Sequence, residues 1–125
     1  MSDSNTILVL GGGVGGLIAA RELRKRVPRR HRVVLVDRER DHLFAPSLLW
    51  LMVGLRDAHA ITRPLDRLRR KGIEVRLGEI EKIDPSRRAV TVSGEELVAD
   101  HVVVSLGAEL APETVPGLQD AGHNF

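Results

Sequence analysis

The sequence predicts an α/β fold in which a parallel sheet is joined to an antiparallel β-meander. Apolar runs at residues 7–10 and 32–37 flank a segment with helical periodicity, which is the order of a strand–helix–strand unit. Residues 79–98 instead alternate apolar and polar side chains between turn sequences, as the strands of a meander do. We expect residues 1–125 to be the N-terminal portion of one domain, incomplete at its C-terminus, because residues 109–125 show no strong period.

The first unit, residues 7–37, runs from a strand through a helix to a second strand. A continuous apolar run such as residues 7–10 is typical of a strand that is buried on both faces of a parallel sheet. Small and apolar residues then recur on one face of a helix, at Gly16, Ala20, Leu23 and Val27. The helix ends before Pro28, and residues 32–37 form a second strand that we expect to lie parallel to the first.

The middle of the chain combines an apolar segment with a basic one. Residues 42–55 predict a buried helix or a loop packed over a ligand, with Trp50 as a packing residue. Residues 62–72 predict a short amphipathic helix, for which Thr62 is the N-cap and Gly72 lies beyond the end.

After the meander, residues 101–106 predict a closing strand that breaks at Gly107. The histidines show no metal-ligand spacing; they are His31, His42, His59, His101 and His123. No serine has the context of a hydrolase nucleophile either. We therefore expect no catalytic residue and no metal ligand in these residues.

The composition excludes several classes of protein. Without cysteine, the chain offers no disulfide, thiolate metal site or redox thiol pair. No apolar run reaches the roughly 18 residues that a membrane span needs, and the polar N-terminus lacks the layout of a secretory signal. We expect a cytoplasmic protein, with peripheral contact at the inner face of the membrane as the alternative.

Basic residues cluster around the end of the first helix. They are Arg21, Arg24, Lys25, Arg26, Arg29, Arg30 and Arg32, against a lone Glu22. We favour a solvated outer face over contact with an anionic surface or nucleic acid, because aromatic residues are only 2% of the chain.

The glycine-rich turn carries the main functional signal. Gly11, Gly13 and Gly16 form a G-x-G-x-x-G pattern between a predicted strand and a predicted helix. In the geometry of this fingerprint, the first glycine permits the tight turn, the second admits a pyrophosphate, and the third allows close packing of the helix. The phosphates then lie at a helix N-terminus, which stabilises anions. The sequence therefore predicts a Rossmann-like dinucleotide-binding domain.

Asp37 extends this fingerprint to the second strand. It follows Gly16 by 21 residues, at a position where a carboxylate accepts hydrogen bonds from ribose hydroxyls. Its charge disfavours the 2′-phosphate of NADP, although Arg38 and Arg40 weaken that exclusion. The fingerprint by itself does not separate FAD from NAD.

Further segments extend the pattern over almost the whole chain. They are, in order, ILVLGGGVGGLIAARELRK, VVLVDRE, FAPSLLWLMVG, GIEVRLGEIEKIDPSRRAV and DHVVVSLGAEL. In this order they resemble the FAD domain of the pyridine nucleotide-disulfide oxidoreductase superfamily. Within it, the FAPSLLW segment and the closing VPGL and GHNF are most similar to sulfide:quinone oxidoreductases and flavocytochrome c sulfide dehydrogenases. Type II NADH:quinone dehydrogenases are nearly as similar.

The resemblance implies FAD as the cofactor and a role for each matching residue. The glycine turn would hold the pyrophosphate, Asp37 the ribose, Arg38 and the main chain of Ile80 the adenine, while Pro46 and Ser47 would border the isoalloxazine. Gly107 matches a second flavin-contacting strand end, although the usual Ala-Thr-Gly is Ser105-Leu106-Gly107 here. The implied cofactor-binding residues are Gly11, Gly12, Gly13, Val14, Gly15, Gly16, Asp37, Arg38, Pro46, Ser47, Ile80 and Gly107.

The function implied is electron transfer to a quinone or another acceptor in a flavoprotein similar to sulfide:quinone oxidoreductase. A type II NADH:quinone dehydrogenase and a non-catalytic dinucleotide-binding module remain the alternatives. Dithiol chemistry is disfavoured, because HLFAPSLLW stands where such members carry paired cysteines. A second domain after Phe125 would bind NAD(P)H where it is used. We expect this chain by itself to be inactive and to bind FAD weakly or not at all.

The partners implied are the remainder of the flavoprotein or a partner subunit, and a second copy in a homo-oligomer. No nucleic acid is expected, and peripheral contact of residues 42–55 with a membrane is left open.

Overall fold

A computed structural model of the chain describes residues 4–122, and its centre is a parallel sheet of four strands. In chain order these strands are β1 (Thr6–Leu10), β2 (Arg32–Asp37), β5 (Glu74–Leu77) and β9 (His101–Val104). They lie side by side in the order β5-β2-β1-β9, and every neighbouring pair is parallel. The predicted parallel pairing of the first two strands is thus confirmed. The closing strand ends at Val104, two residues before the predicted end at residue 106.

Helix α1 (Val14–Arg26) connects the first two strands and covers one face of the sheet. Its buried residues are Gly16 and Ala20, and Leu23 and Val27 pack against the same core. This is the face that the sequence predicts. Val27 is extended, so the helix ends directly before Pro28, as predicted.

The core has two halves because residues of the central strands alternate between the two faces of the sheet. Ile7 and Val9 of β1 face α1, whereas Leu8 and Leu10 face the meander. All four are at most 7% exposed, so β1 is buried on both faces as its continuous apolar run predicts.

The meander covers the second face of the sheet. Its strands are β6 (Ile80–Asp84), β7 (Ala89–Val92) and β8 (Glu95–Val98), paired antiparallel in that order. Val90 and Val92 of the central strand are fully buried against the parallel sheet. The predicted meander is confirmed, and its position fixes Ile80 near the carboxyl end of β2.

The amphipathic helix predicted for residues 62–72 is only partly correct. Thr62 is not an N-cap: it begins β4 (Thr62–Pro64), which pairs antiparallel with β3 (Asp41–Leu43). The residue before a proline avoids the helical region, which favours the extended strand here. The helical part is a 3₁₀-helix from Leu65 to Lys71, which buries its apolar residues as predicted.

The apolar segment 42–55 does not form the buried helix that the sequence predicts. After a 3₁₀ turn (Ala45–Ser47) comes α2 (Leu48–Met52), a helix with no buried residue. Trp50 is 49% exposed, so it is not a core packing residue. The large apolar side chains exposed in this segment are Leu43, Phe44, Leu49, Trp50, Met52, Val53 and Leu55. Helix α3 (Ala58–Ile61) follows, with Asp57 as its N-cap.

The last elements are a 3₁₀ turn (Pro112–Thr114) and α4 (Leu118–Ala121), neither of which has a buried residue. His123 and the two residues that follow it in the GHNF segment lie outside the residues that the structure describes. None of the helices between residues 4 and 122 combines the length and apolarity needed to cross a bilayer.

Candidate functional site

The glycine turn between β1 and α1 contains buried glycines that make room for backbone. Gly11 has φ +100°, which favours glycine, and a Cβ there would overlap the carbonyl group of Ser105. A Cβ on Gly16 would overlap the carbonyl oxygen of Gly11. These two positions therefore require glycine for the fold itself, because backbone cannot move aside as a side chain can.

The same turn exposes a second set of residues. Gly13, Val14 and Gly15 are exposed, and a Cβ on Gly13 would meet no atom within 4 Å. Gly13 also has φ −72°, which any residue adopts, so nothing in the chain demands glycine there. Its position leaves the backbone open to a group from outside.

The amino end of α1 adds unpartnered donors at this opening. The first N–H groups of a helix have no intrahelical acceptor. Gly13 provides no capping side chain, and the first turn has no carboxylate. The positive end of the helix dipole therefore faces the open side of the turn, where an anion is stabilised.

Asp37, at the end of β2, ties the turn to the sheet. One of its carboxylate oxygens accepts the N–H of Gly12, and the other accepts the N–H of Glu39 at 2.7 Å. A carboxylate has about four acceptor positions. Two therefore remain for the hydroxyls of a ligand, and the carboxylate is already held in place.

Two further residues support the turn in a role that the sequence does not indicate. The Nδ1–H of His42 donates to the carbonyl of Gly12 at 2.9 Å, and the hydroxyl of Ser105 donates to that of Leu10 at 2.8 Å. Local patterns test a histidine for metal-ligand spacing and a serine for the context of a nucleophile, and Ser105 also matches the first position of the usual Ala-Thr-Gly. Contacts over 30 and 95 residues of separation leave no local pattern.

A cleft of about 380 Å³ begins at this turn and brings together five of the predicted site residues. They are Gly11, Asp37, Arg38, Ile80 and Gly107. The other residues that line it are Glu39, Glu79, Leu106, Ala108 and Glu109. The cleft lies at the carboxyl ends of parallel strands, the edge at which ligands bind in open α/β sheets.

Arg38 crosses one side of this cleft. Its guanidinium pairs with Glu109 and lies 3.7 Å from Glu79 and 3.6 Å from Glu39. The hydrogen bond with Glu109, followed by the charges of Glu109 and Glu79, raises the pKa of Arg38. Because carboxylates outnumber the arginine around the cleft, a 2′-phosphate on the ribose would meet repulsion.

Pro46 and Ser47, which the resemblance places beside the isoalloxazine, do not line this cleft. Pro46 is exposed, whereas Ser47 is only 2% exposed and its hydroxyl accepts from Arg56 at 2.9 Å. Ser47 is thus held by Arg56 on the apolar segment rather than by the glycine turn.

The arrangement fits a dinucleotide better than a metal. It offers bare backbone N–H groups for a pyrophosphate, a fixed carboxylate for a ribose, and an apolar wall with main-chain atoms for a base. Among residues 4–122, no group of three or more metal-binding side chains lies close enough together to hold an ion.

Comparison with known proteins gives a consistent result. A model of the family described as pyridine nucleotide-disulphide oxidoreductase matches residues 5–125. The demethylphylloquinone reductase of Synechocystis sp. is 33% identical over the whole chain, which spans 33% of that protein. The sulfide-quinone reductase of Aquifex aeolicus is 35% identical over 83% of the chain, which corresponds to 24% of that protein.

Solved structures share the fold. The crystal structure of the Aquifex aeolicus sulfide:quinone oxidoreductase matches 94% of this chain and 27% of its own, with a TM-score of 0.87 and 30% identity. An NDH2 structure from Plasmodium falciparum matches with a TM-score of 0.75 at 17% identity, which concerns the fold alone. The chain spans 24–33% of the length of these curated relatives.

Proposed function

The chain belongs to the pyridine nucleotide-disulphide oxidoreductase family, and we propose that its glycine turn and adjacent cleft hold the pyrophosphate and adenosine of FAD in a flavoprotein oxidoreductase. The family binds FAD, and related enzymes also use NAD(P)H. The observation that carries the proposal is the cleft, in which Gly11, Asp37, Ile80 and Gly107 meet beside the uncapped amino end of α1.

Each group of residues has a separate task in this proposal. Gly13, Val14 and Gly15 present backbone N–H groups to the pyrophosphate, and Gly13 lets it approach the main chain. Asp37 accepts hydrogen bonds from the ribose hydroxyls with the acceptor positions that Gly12 and Glu39 leave free. These residues bind and orient the cofactor.

The base lies against the other side of the cleft. Ile80 offers main-chain atoms to the adenine, and Arg38 lies beside it, held by Glu109 and Glu79. Gly107 has φ +72° and an open Cβ position, so the chain can pass closely by a flat ring. Gly11, Gly12 and Gly16 are buried and shape the turn from beneath.

FAD supplies two-electron chemistry when it is bound, and the protein supplies position and environment. The names of the relatives specify quinone as the acceptor, since they include sulfide:quinone and type II NADH:quinone oxidoreductases. We therefore propose a quinone as the acceptor of the flavoprotein that contains this chain, with sulfide as its donor. NADH is the alternative donor.

Pro46 and Ser47 are assigned to the side of the flavin ring in this proposal, beyond the adenosine cleft. The exposed apolar surface formed by residues 43–55 supports a contact with further protein. Isolated exposed apolar residues are common, but a continuous set marks an interaction surface. The remainder of the flavoprotein or a partner subunit is the contact we propose for it.

The experiment that tests this function follows the absorbance of bound flavin in the protein purified at its native length. Under anaerobic conditions, bleaching by sulfide and recovery on adding a soluble quinone would support the sulfide reaction. Bleaching by NADH but not by sulfide would assign the alternative donor. A bound flavin that neither donor reduces would contradict the proposed electron transfer.

A further inference from the structure

A second cleft lies at the opposite end of α1 from the glycine turn. It has a volume of about 460 Å³, within the range of small-molecule sites. The residues that line it are Arg21, Arg24, Lys25, Val27, Pro28, Arg29, Lys71 and Ile73. Five of these side chains are basic and none is acidic. We call this site the basic cleft.

Arg24 forms the fixed part of the basic cleft. Its guanidinium donates to the carbonyls of Val27 at 2.9 Å, Pro28 at 2.7 Å and His31 at 2.7 Å. It thereby satisfies the carbonyls that follow the helix, where the helix dipole is negative. Its Nε is buried and has no hydrogen-bond partner in the part of the chain that the structure describes.

Arg29 and Lys71 form the opposite, exposed part. Arg29 Nη1 lies 3.2 Å from the position that a Cβ on Gly72 would occupy. Gly72 has φ +81° and ends the 3₁₀-helix directly after Lys71, so its missing side chain leaves room for Arg29. Arg29 therefore reaches the turn that directly follows Lys71, and both residues line the basic cleft.

The positive charge of the basic cleft is mostly uncompensated. Lys25 pairs with Glu22 at 2.7 Å, which neutralises one cation. Between residues 4 and 122, no carboxylate forms an ion pair with Arg21, Arg29 or Lys71. Arg32 nearby is different, since Glu74 binds it with two hydrogen bonds of 2.8 Å.

We propose that the basic cleft binds the phosphate group of an anionic ligand. Arginine and lysine donors from three elements can surround phosphate oxygens, and arginine does so with a planar fork. Val27, Pro28 and Ile73 supply an apolar wall for the part of the ligand that carries the phosphate. The phosphate belongs either to a free phosphorylated compound or to a phospholipid headgroup. This site is independent of the flavin site and of the reaction proposed for it.

The test measures binding of the native-length protein to two probes at one fixed, near-physiological salt concentration. The first probe is inorganic pyrophosphate, titrated by calorimetry. The second is a set of phosphatidylcholine vesicles with and without phosphatidylglycerol, followed by co-sedimentation. Binding of pyrophosphate identifies the free compound as the source, whereas binding of only the phosphatidylglycerol vesicles identifies the headgroup.

Matched variants tie the signal to the site. Arg29→Gln with Lys71→Gln removes two charges from the basic cleft and leaves the structural Arg24 intact. Lys82→Gln with Arg88→Gln removes two exposed charges from the meander as a control. We expect the first pair to weaken binding roughly 30-fold, which is about fivefold per charge, and the control to have little effect.

Two results would overturn the proposal. One is that neither probe binds the wild-type protein. The other is that the two double variants change binding to the same extent, whether both weaken it or neither does, because the signal then reflects net charge or pyrophosphate in the glycine turn. Thermal unfolding of each variant shows that the fold is retained.

Discussion

At its amino end, helix α1 meets a turn of glycines and offers backbone N–H groups, whereas at its carboxyl end basic side chains surround it. The amino end has its shape fixed by backbone contacts of Gly11 and Gly16 and by one carboxylate, Asp37. The carboxyl end has one fixed cation, Arg24, and several exposed ones. The amino end is therefore suited to a ligand of one particular shape, and the carboxyl end to a ligand of negative charge.

This contrast between the two ends of α1 indicates how experiments can separate them. Fixed backbone donors lose function when a single atom blocks them, whereas a group of solvated charges loses it gradually and is screened by salt. The addition of one methyl group should therefore have large effects at the glycine turn. Substitutions of one charge should have small effects at the opposite end.

The largest expected effect is that of Gly16→Ala on stability. The added Cβ would overlap the carbonyl oxygen of Gly11, so backbone has to shift at the centre of the turn. We expect a loss of about 3 kcal/mol in the free energy of unfolding, measured by urea denaturation. Gly15→Ala is the matched control, because its Cβ would lie at an ordinary 3.8 Å from the Cβ of Ser105. Equal stabilities of the two variants would contradict this account of the turn.

Gly13→Ala should affect cofactor affinity without affecting the fold. No atom lies within 4 Å of its Cβ position, and φ is −72°, so the change in stability should stay below about 1 kcal/mol. In the native-length protein, FAD affinity should fall by roughly tenfold to a hundredfold, because the methyl group holds the pyrophosphate away from the turn. Titration of the FAD-depleted protein measures this, and an unchanged affinity would exclude Gly13 from the site.

These glycines also mark what the sequence could predict. The roles of Gly11 and Gly16 follow from local backbone geometry, and the strand–helix–strand order follows from short apolar patterns. The exposure of Trp50 could not be predicted. An apolar segment indicates that its side chains are buried, but it does not indicate which surface covers them. Thr62 has the chemistry of an N-cap, but pairing with Leu43 in another strand decided its conformation.

The residues that support the glycine turn, His42 and Ser105, could not be predicted from the sequence either. His42 and Ser105 bind backbone carbonyls of the turn from distant points in the chain. Such contacts arise only once the sheet has formed, since β9 and β3 bring these residues to β1. Ile80 and Gly107, which the resemblance assigns to the cofactor, lie together because β6 begins and β9 ends at the same edge.

Ser105→Ala should have an intermediate effect on stability. It removes the hydrogen bond from the hydroxyl to the carbonyl of Leu10, but the backbone N–H of Ser105 still donates to that oxygen at 2.8 Å. We expect a loss of about 1 kcal/mol in unfolding free energy. Chemical denaturation of this variant and of the wild type measures it. A loss as large as that of Gly16→Ala would mean that the hydroxyl holds the turn together.

The smallest expected effect is that of Glu74→Gln, which removes the ion pair between Glu74 and Arg32. Arg32 lowers the pKa of Glu74 below its ordinary value of 4.5, mainly through their hydrogen bond. A lowered carboxyl pKa adds stability that is fully present above the ordinary value and is lost as pH falls through the folded value. Because both side chains are about half exposed, Glu74→Gln should cost less than about 1 kcal/mol at neutral pH.

The matching measurement compares unfolding midpoints of this variant and the wild type at neutral pH and in acid. The difference should shrink at acidic pH, where the carboxylate of the wild type is protonated. A difference that persists unchanged in acid would show that the ion pair is not its cause.

We propose that the glycine turn and its cleft belong to a flavin site. The most direct measurement is the visible absorbance spectrum of the protein purified at its native length, followed by denaturation and identification of the released cofactor. We predict the paired absorbance bands of a flavin and the release of FAD. A colourless protein that releases no FAD and takes up none when it is added would contradict the account.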